Sequence, residues 1–174
     1  SKNNIFHSSK GVKLHYQNTN FQASLYSNYN KWQFPIIINT DTILNQLGVG
    51  LDYSLTYKNA HFFGEFATIN GKGAYLNGCN IHLSPRFTYS LLIRNISPDY
   101  HSLQANAFVE NSNVNNELGV FSSFSIKLNS KWSLTYFLDN FKSKPVTKLS
   151  EQALIGKEHF IELKHKCSKK NRME

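Results

Sequence analysis

The chain has 174 residues, of which 40% are hydrophobic and 14% aromatic but only 17% charged, with a formal net charge of +8. This length predicts one domain spanning residues 1–174, or a fragment of a larger one. The longest apolar stretch, near Phe34–Ile38, is far shorter than the roughly 18 residues of a membrane-spanning helix, which excludes that kind of membrane protein. Basic residues crowd the end of the chain, and we expect the C-terminal segment 164–174 to be a solvated end.

Alternation of apolar with polar residues predicts strands along most of the chain. It is clearest at Leu51–Tyr57, Phe87–Arg94 and Trp132–Asp139, and successive side chains on a strand point to opposite faces. The strand length is close to the roughly 9–11 residues with which a tilted strand crosses a bilayer. In chain order the predicted strands are 11–17, 21–28, 32–38, 46–57, 61–69, 74–83, 86–95, 117–128, 131–141 and 156–167.

The connections between these strands alternate in length. Asn70-Gly71 favours a tight hairpin turn, and Pro85 interrupts a ladder because it has no backbone N–H. Successive barrel hairpins have short turns on one rim and longer loops on the other, and ten strands place both chain ends on the short-turn rim. The connections 18–20 and 70–73 are exceptions, being short on the long-loop side. The predicted short turns are 29–31, 58–60, 84–86 and 129–130, and the long loops are 39–45, 96–116 and 142–155.

Residues 102–110 admit two interpretations. Leu103, Ala105, Ala107 and Val109 alternate as in a strand, but an extra strand would disturb the order of short and long connections. The alternative, which we favour, is a long loop that folds inward or forms a short helix.

The alternation also assigns aromatic and charged side chains to opposite faces. A Lys or Arg facing lipid at mid-depth would cost about 2–4 kcal/mol, so the aromatic face is the one suited to lipid. Tyr16, Trp32, Tyr57 and Trp132 lie near predicted strand ends, as expected at a headgroup boundary. We interpret the inner charges as a salt-bridge network that plugs a narrow lumen, with a proton, ion or ligand path as the alternative. These inner residues are Asp52, Glu65, Arg94, Glu117, Lys127, Asp139, Glu162 and Lys164.

The sequence contains no motif of enzymatic chemistry. It has no nucleophile elbow, no zinc-protease helix and no phosphate-binding loop. Cys79 and Cys167 match no metal spacing, and the seven histidines are scattered. We therefore expect no catalytic residue, no metal, no cofactor and no enzymatic activity.

Three stretches resemble the barrel region of a family of Bacteroidota outer-membrane proteins, which often carry helix-hairpin-helix repeats ahead of the barrel. The resemblance spans roughly residues 46–170. The stretches are Phe63–Ala67 with Gly73, Ala74 and Gly78; Arg94 with Ser97–Tyr100 and Ala107–Glu110; and Asn116–Val120 leading to Trp132, Tyr136, Asp139 and Phe141.

This resemblance implies an outer-membrane β-barrel that serves as an accessory part of an envelope or secretion assembly. Glu65, Arg94, Glu117 and Asp139 match recurring polar positions of the family. The repeats are absent from this sequence, so no DNA-related role follows from them. The chain ends in a basic segment rather than an aromatic-ended strand, so we also consider it a candidate fragment of a longer barrel.

The sequence thus predicts an all-β fold, an antiparallel up-and-down transmembrane β-barrel of about ten strands in a bacterial outer membrane. We expect a structural or accessory protein with a plugged polar lumen, surrounded by outer-membrane lipid and in contact with other envelope proteins. One alternative is a passive pore. Another is a soluble lipocalin-like barrel whose aromatic face is turned inward around an apolar ligand. Nucleic-acid binding is disfavoured, because a barrel wall explains the interleaved aromatic and basic residues of 131–144 more simply.

Overall fold

The fold is a single antiparallel sheet of nine strands. A computed structural model describes residues 6–38, 41–102, 116–143 and 154–167, and within these ranges it contains strands and no helix. The strands pair in sequence order, each with the next, so the sheet is up-and-down throughout. They are β1 (His7–Gln17), β2 (Phe21–Ile38), β3 (Asp41–Tyr57), β4 (Ala60–Ile69), β5 (Lys72–Ser84), β6 (Phe87–Ile96), β7 (Glu117–Lys127), β8 (Trp132–Lys142) and β9 (Ile155–His165).

No helix within the described ranges has the length and apolar character needed to cross a membrane.

Both long connections leave the same end of the sheet. Each strand reverses the direction of the one before it, so connections after even-numbered strands share one end, here called the long-loop rim. Connections after odd-numbered strands share the other end, the short-turn rim. The long connections, 97–116 and 143–154, both lie at the long-loop rim. At the short-turn rim lie only brief connections, at 18–20, 58–59, 85–86 and 128–131.

The predicted division into ten strands is wrong at one place. The turn expected at 29–31 lies inside β2, which runs without a turn from Phe21 to Ile38. Asn30 lies on the polar side of this strand, where its Oδ1 is 3.2 Å from Nε2 of His7 in β1, so a residue typical of turns instead pairs across the sheet. The ladder to β3 is irregular between Lys31 and Ile36, around Pro35, which has no N–H to donate.

This correction changes the positions of the predicted connections and chain ends. The long loop expected at 39–45 is wrong, because β3 already begins at Asp41. Connection 18–20 now belongs to the short-turn rim and ceases to be an exception. The start of β1 lies at the long-loop rim rather than, as predicted, at the short-turn rim, whereas the end of β9 lies at the short-turn rim as expected. Residues 103–110 of the ambiguous segment, and residues 168–174, lie outside the described residues.

The register shifts steadily along the strands from one edge of the sheet to the other. The row of paired residues that starts at Leu14, the eighth residue of β1, ends at Ile155, the first residue of β9. The row has therefore shifted by about seven residues over eight pairings, as tilted strands of a coiled sheet require. Among the described residues β1 and β9 do not pair with each other, so the described sheet is open.

The two faces of the sheet differ in burial. Every buried non-glycine side chain in a described strand lies on one side, here called the polar face, which includes Ser24, Gln46 and Arg94. It also includes Trp32, which is 7% exposed and lies inside β2, so the predicted position of Trp32 near a strand end at a headgroup boundary is wrong. The opposite side, the apolar face, carries residues such as Leu51 and Phe66, which are exposed. A small apolar cluster, Ala67, Ile69, Ile96 and Tyr100, closes the polar face toward the long-loop rim.

Candidate functional site

The most deeply buried polar group of the described residues is an ion cluster on the polar face of β6, β7 and β8. Arg94, Glu117 and Asp139 are 0%, 2% and 1% exposed. The Arg94 Nε donates a hydrogen bond to Glu117 Oε1, while Nη1 and Nη2 donate to the two Asp139 carboxylate oxygens at 3.1 and 3.0 Å. This is the paired fork geometry in which a guanidinium binds a carboxylate most strongly.

A glycine in the middle strand permits this geometry. Gly119 is the direct partner of Arg94 in the β6–β7 ladder, and a Cβ added there would lie 2.5 Å from Cζ of Arg94. The missing side chain therefore lets the guanidinium cross β7 and reach Asp139 in β8. The cluster fastens three strands together at points far apart in the sequence.

A second polar region covers β1 to β4. The Tyr26 hydroxyl donates to Glu65 Oε1 at 2.7 Å, and the Ser24 hydroxyl donates to Asp52 Oδ1 at 3.1 Å. Tyr26 crosses β3 above Gly50, where an added Cβ would overlap the phenol ring. A cavity of about 460 Å³ opens beside Tyr26 and Glu65.

The segment that follows β6 closes part of this cavity. Tyr100 is buried as a member of the small apolar cluster, and Gln46 Nε2 donates to the backbone oxygen of His101 at 2.6 Å. Burial raises the pKa of the Tyr100 phenol, and the nearby Glu65 carboxylate raises it further. Tyr100 therefore stays a neutral phenol at physiological pH and can donate a hydrogen bond.

The register places all eight predicted inner charges on the polar face. It does not join them into one network. Arg94, Glu117 and Asp139 meet, whereas Asp52 and Glu65, which face each other across β3 and β4, each bind a hydroxyl. Glu162 and Lys164 form a separate exposed pair on β9 with an N–O distance of 2.7 Å. Lys127 lies at the short-turn end of β7.

Sequence reasoning missed several polar-face residues that the structure brings together. Ser24, Tyr26 and Asn30 lie two or four residues apart in β2, so polar alternation could have identified them. Glycines inside strands, such as Gly50 and Gly119, are a further signal, since they mark places where another group approaches the backbone closely.

The described residues contain no group of three or more His, Cys, Asp or Glu side chains able to hold a metal ion. In the ion cluster the hydrogen bonds use both Asp139 carboxylate oxygens and all three guanidinium nitrogens. The arrangement is therefore suited to holding three strands together.

The described residues form one antiparallel, all-β sheet with an exposed apolar face and a polar face that buries charge. Comparison with known protein families and with curated proteins finds no match. The resemblance to Bacteroidota outer-membrane barrels accordingly stays a prediction from the sequence.

Proposed function

We propose that this chain forms the wall of a transmembrane β-barrel in a bacterial outer membrane and serves as a non-enzymatic structural or accessory component of a cell-envelope assembly. The observation that carries the proposal is the exposed apolar face. Val12 in β1, Phe66 in β4 and Ile161 in β9 are 67%, 51% and 69% exposed, and similar residues occur on every strand between them. An apolar surface of this extent is unfavourable in water but is what a barrel presents to lipid.

Strand length and charge placement support the proposal. The shortest strands have ten residues, within the roughly 9–11 that a tilted strand needs to cross a bilayer. Among the strand residues whose side chains the structure describes, the charged ones on the apolar face are Lys10, Lys31, Lys142 and Lys157, and all four lie toward the long-loop rim. A headgroup region can hold them there, whereas the hydrocarbon core would not.

The steady shift in register from β1 to β9 also supports a barrel, because closing a sheet requires tilted strands with such a shift. In lipid no water is present to satisfy the backbone groups along the free edges of β1 and β9. The proposal therefore includes closure of the sheet. Because β1 and β9 run in the same direction, closure pairs them in parallel or uses further strands of a larger barrel.

Membrane fractionation followed by cold and boiled SDS gels tests the proposal. A barrel is expected in the outer-membrane fraction, with a band that shifts on boiling because the folded form binds less detergent. A protein recovered without detergent, with no heat shift, would contradict the proposal and favour the lipocalin-like alternative. That alternative requires buried aromatic residues and exposed charges, the reverse of what Phe66 and Arg94 display.

The cavity beside Tyr26 favours one second candidate, a passive pore. It is lined in part by Gly11, Gly48 and Asn28, whose small or neutral side chains leave room for water and small solutes. Conductance across planar lipid bilayers separates the two functions. Steady single-channel currents from heat-modifiable protein would favour the pore, and their absence would favour the structural role.

A further inference from the structure

The short-turn rim is basic. Its described connections, together with residues 166–167 after β9, contain no acidic residue. They contain four basic ones, contributed by four separate parts of the chain, and the up-and-down topology brings these to one end of the sheet. The four are Lys58, Arg86, Lys131 and Lys166.

The charge is most concentrated beside the turn between β7 and β8. A cavity of about 280 Å³ there is lined by Lys127, Lys131 and Lys166, together with the polar side chains of Asn129 and Ser133, and no acidic residue of the described chain lines it. Three lysines and two neutral polar side chains around one cavity are suited to an anion such as phosphate.

Backbone contacts fix the geometry of this site. The Asn129 side-chain oxygen accepts hydrogen bonds from the N–H groups of Lys131 and Trp132, both at 2.9 Å. The N–H of Lys166 donates to the backbone oxygen of Lys131 at 2.8 Å. The turn is thus hydrogen-bonded to the segment after β9, which holds the backbones of Lys131 and Lys166 next to each other.

Aromatic side chains stand beside these cations on the apolar face. Trp132 directly follows Lys131 and is 38% exposed, and Tyr57 directly precedes Lys58 and is 62% exposed. The Trp132 ring packs on His165 with centroids 4.4 Å apart. Aromatic rings at the lipid boundary with cations just beyond them suit an interface between acyl chains and anionic headgroups.

The opposite rim differs in its charges. There Lys72 pairs with Asp99 at 3.1 Å, and Glu117 begins β7. In the described residues the short-turn rim is therefore positively charged, whereas the long-loop rim carries both acidic and basic side chains.

We infer that the short-turn rim binds the phosphate of anionic phospholipid headgroups through Lys131 and Lys166, with Trp132 at the start of the acyl region. This inference rests on the proposed membrane location and adds a lipid partner to it. Lys127, on the polar face, lines the same cavity and adds a third positive charge.

Trp132 provides a reporter at the site itself. The chain has two tryptophans, and a Trp32→Phe background leaves Trp132 as the only one. The protein is inserted into vesicles of phosphatidylcholine mixed with phosphatidylglycerol, with the acyl chains of one lipid or the other brominated so that they quench the indole. We expect brominated phosphatidylglycerol to quench Trp132 more strongly at equal mole fraction. The local preference should be roughly five-fold for each lysine contacted and should weaken with added salt.

Matched charge changes test the assignment. Lys131→Gln with Lys166→Gln should abolish the preference, whereas Lys72→Gln with Lys157→Gln, which removes the same charge at the long-loop rim, should preserve it. Equal quenching by both lipids in the parent, equal loss in both double variants, or a preference abolished by millimolar inorganic phosphate would each overturn the inference. Insertion into pure phosphatidylcholine, measured by the heat shift on gels, distinguishes failure of the lipid site from failure of the proposed function. Protein that inserts without a lipid preference refutes the lipid site alone, and protein that never inserts refutes the proposed function and the lipid site together.

Discussion

At the scale of single residues, burial separates Arg94 from the other charged side chains. Arg94 is fully withdrawn from solvent with its two carboxylate partners, so removing it leaves buried charges without compensation. We expect Arg94→Ala to lower the free energy of unfolding by about 3–5 kcal/mol. Lys164→Ala breaks an exposed pair and should cost less than about 1 kcal/mol. Urea unfolding of the folded protein in detergent micelles measures both.

Glu65→Ala tests the interpretation that the cluster, and not negative charge in general, stabilises the sheet. Glu65 accepts one hydrogen bond from Tyr26 and remains exposed, so its loss should cost about 1 kcal/mol. If Arg94→Ala and Lys164→Ala were tolerated equally, the three-strand ion cluster would not be a stabilising element.

Gly119 is a second residue whose role the structure makes specific. A methyl group at Gly119 would press on the Arg94 guanidinium and displace it from Asp139. We expect Gly119→Ala to cost about 1–3 kcal/mol, as overpacking does. Gly73→Ala in β5 is the control, because a Cβ there has no neighbour within 4 Å, and it should change stability by about 0.5 kcal/mol or less. The same unfolding curves measure both variants, and similar midpoints would contradict the packing argument.

At the scale of strands, alternation identified most elements but could not decide where a strand continues. Strands β4, β6 and β8 match the predicted spans within about two residues, because apolar–polar alternation and tight turns bound them. Strand β2 did not, since Asn30 and Lys31 look like part of a turn in the sequence. Asn30 instead lies on the polar face of a continuous strand, and residue types alone do not distinguish a polar strand face from a turn.

The sequence predicted which face of the sheet carries the charged residues of the candidate site, but not which of them contact each other. The parity of each strand sufficed to place Arg94, Glu117 and Asp139 on one side. Which charges meet depends on the register between strands and on where a glycine opens a path across the one between them. Asp52 and Glu65 show the limit, because they share the face and a ladder position but bind hydroxyl groups instead of cations.

At the scale of the whole molecule, properties spread along the chain become surfaces. Lys58, Arg86 and Lys131 are isolated in the sequence, and only the up-and-down order of nine strands gathers them at one rim. The same order gathers the long connections at the opposite rim. The molecule thereby acquires a direction across the proposed membrane, with a basic short-turn end and a long-loop end.

The two cysteines make this direction measurable in the unmodified chain. Cys167 is exposed at the short-turn rim just beyond β9, and Cys79 is half-buried in β5, on the apolar face opposite Phe62. If short turns face the periplasm, as in outer-membrane barrels, a charged maleimide should label Cys167 only after the outer membrane is permeabilised. Cys79 should resist the charged reagent until the protein is unfolded, yet react with a lipid-soluble maleimide, since its thiol faces acyl chains.

Single variants assign each signal, with Cys79→Ser leaving only Cys167 and Cys167→Ser leaving only Cys79. Labelling of Cys167 on intact cells would place the short turns outside the cell and reverse the orientation while leaving the barrel intact. Labelling of Cys79 by the charged reagent in folded protein would place the apolar face in water, which no arrangement of these nine strands within a bilayer allows. Labelling of Cys167 therefore tests the orientation, and labelling of Cys79 independently tests the membrane location.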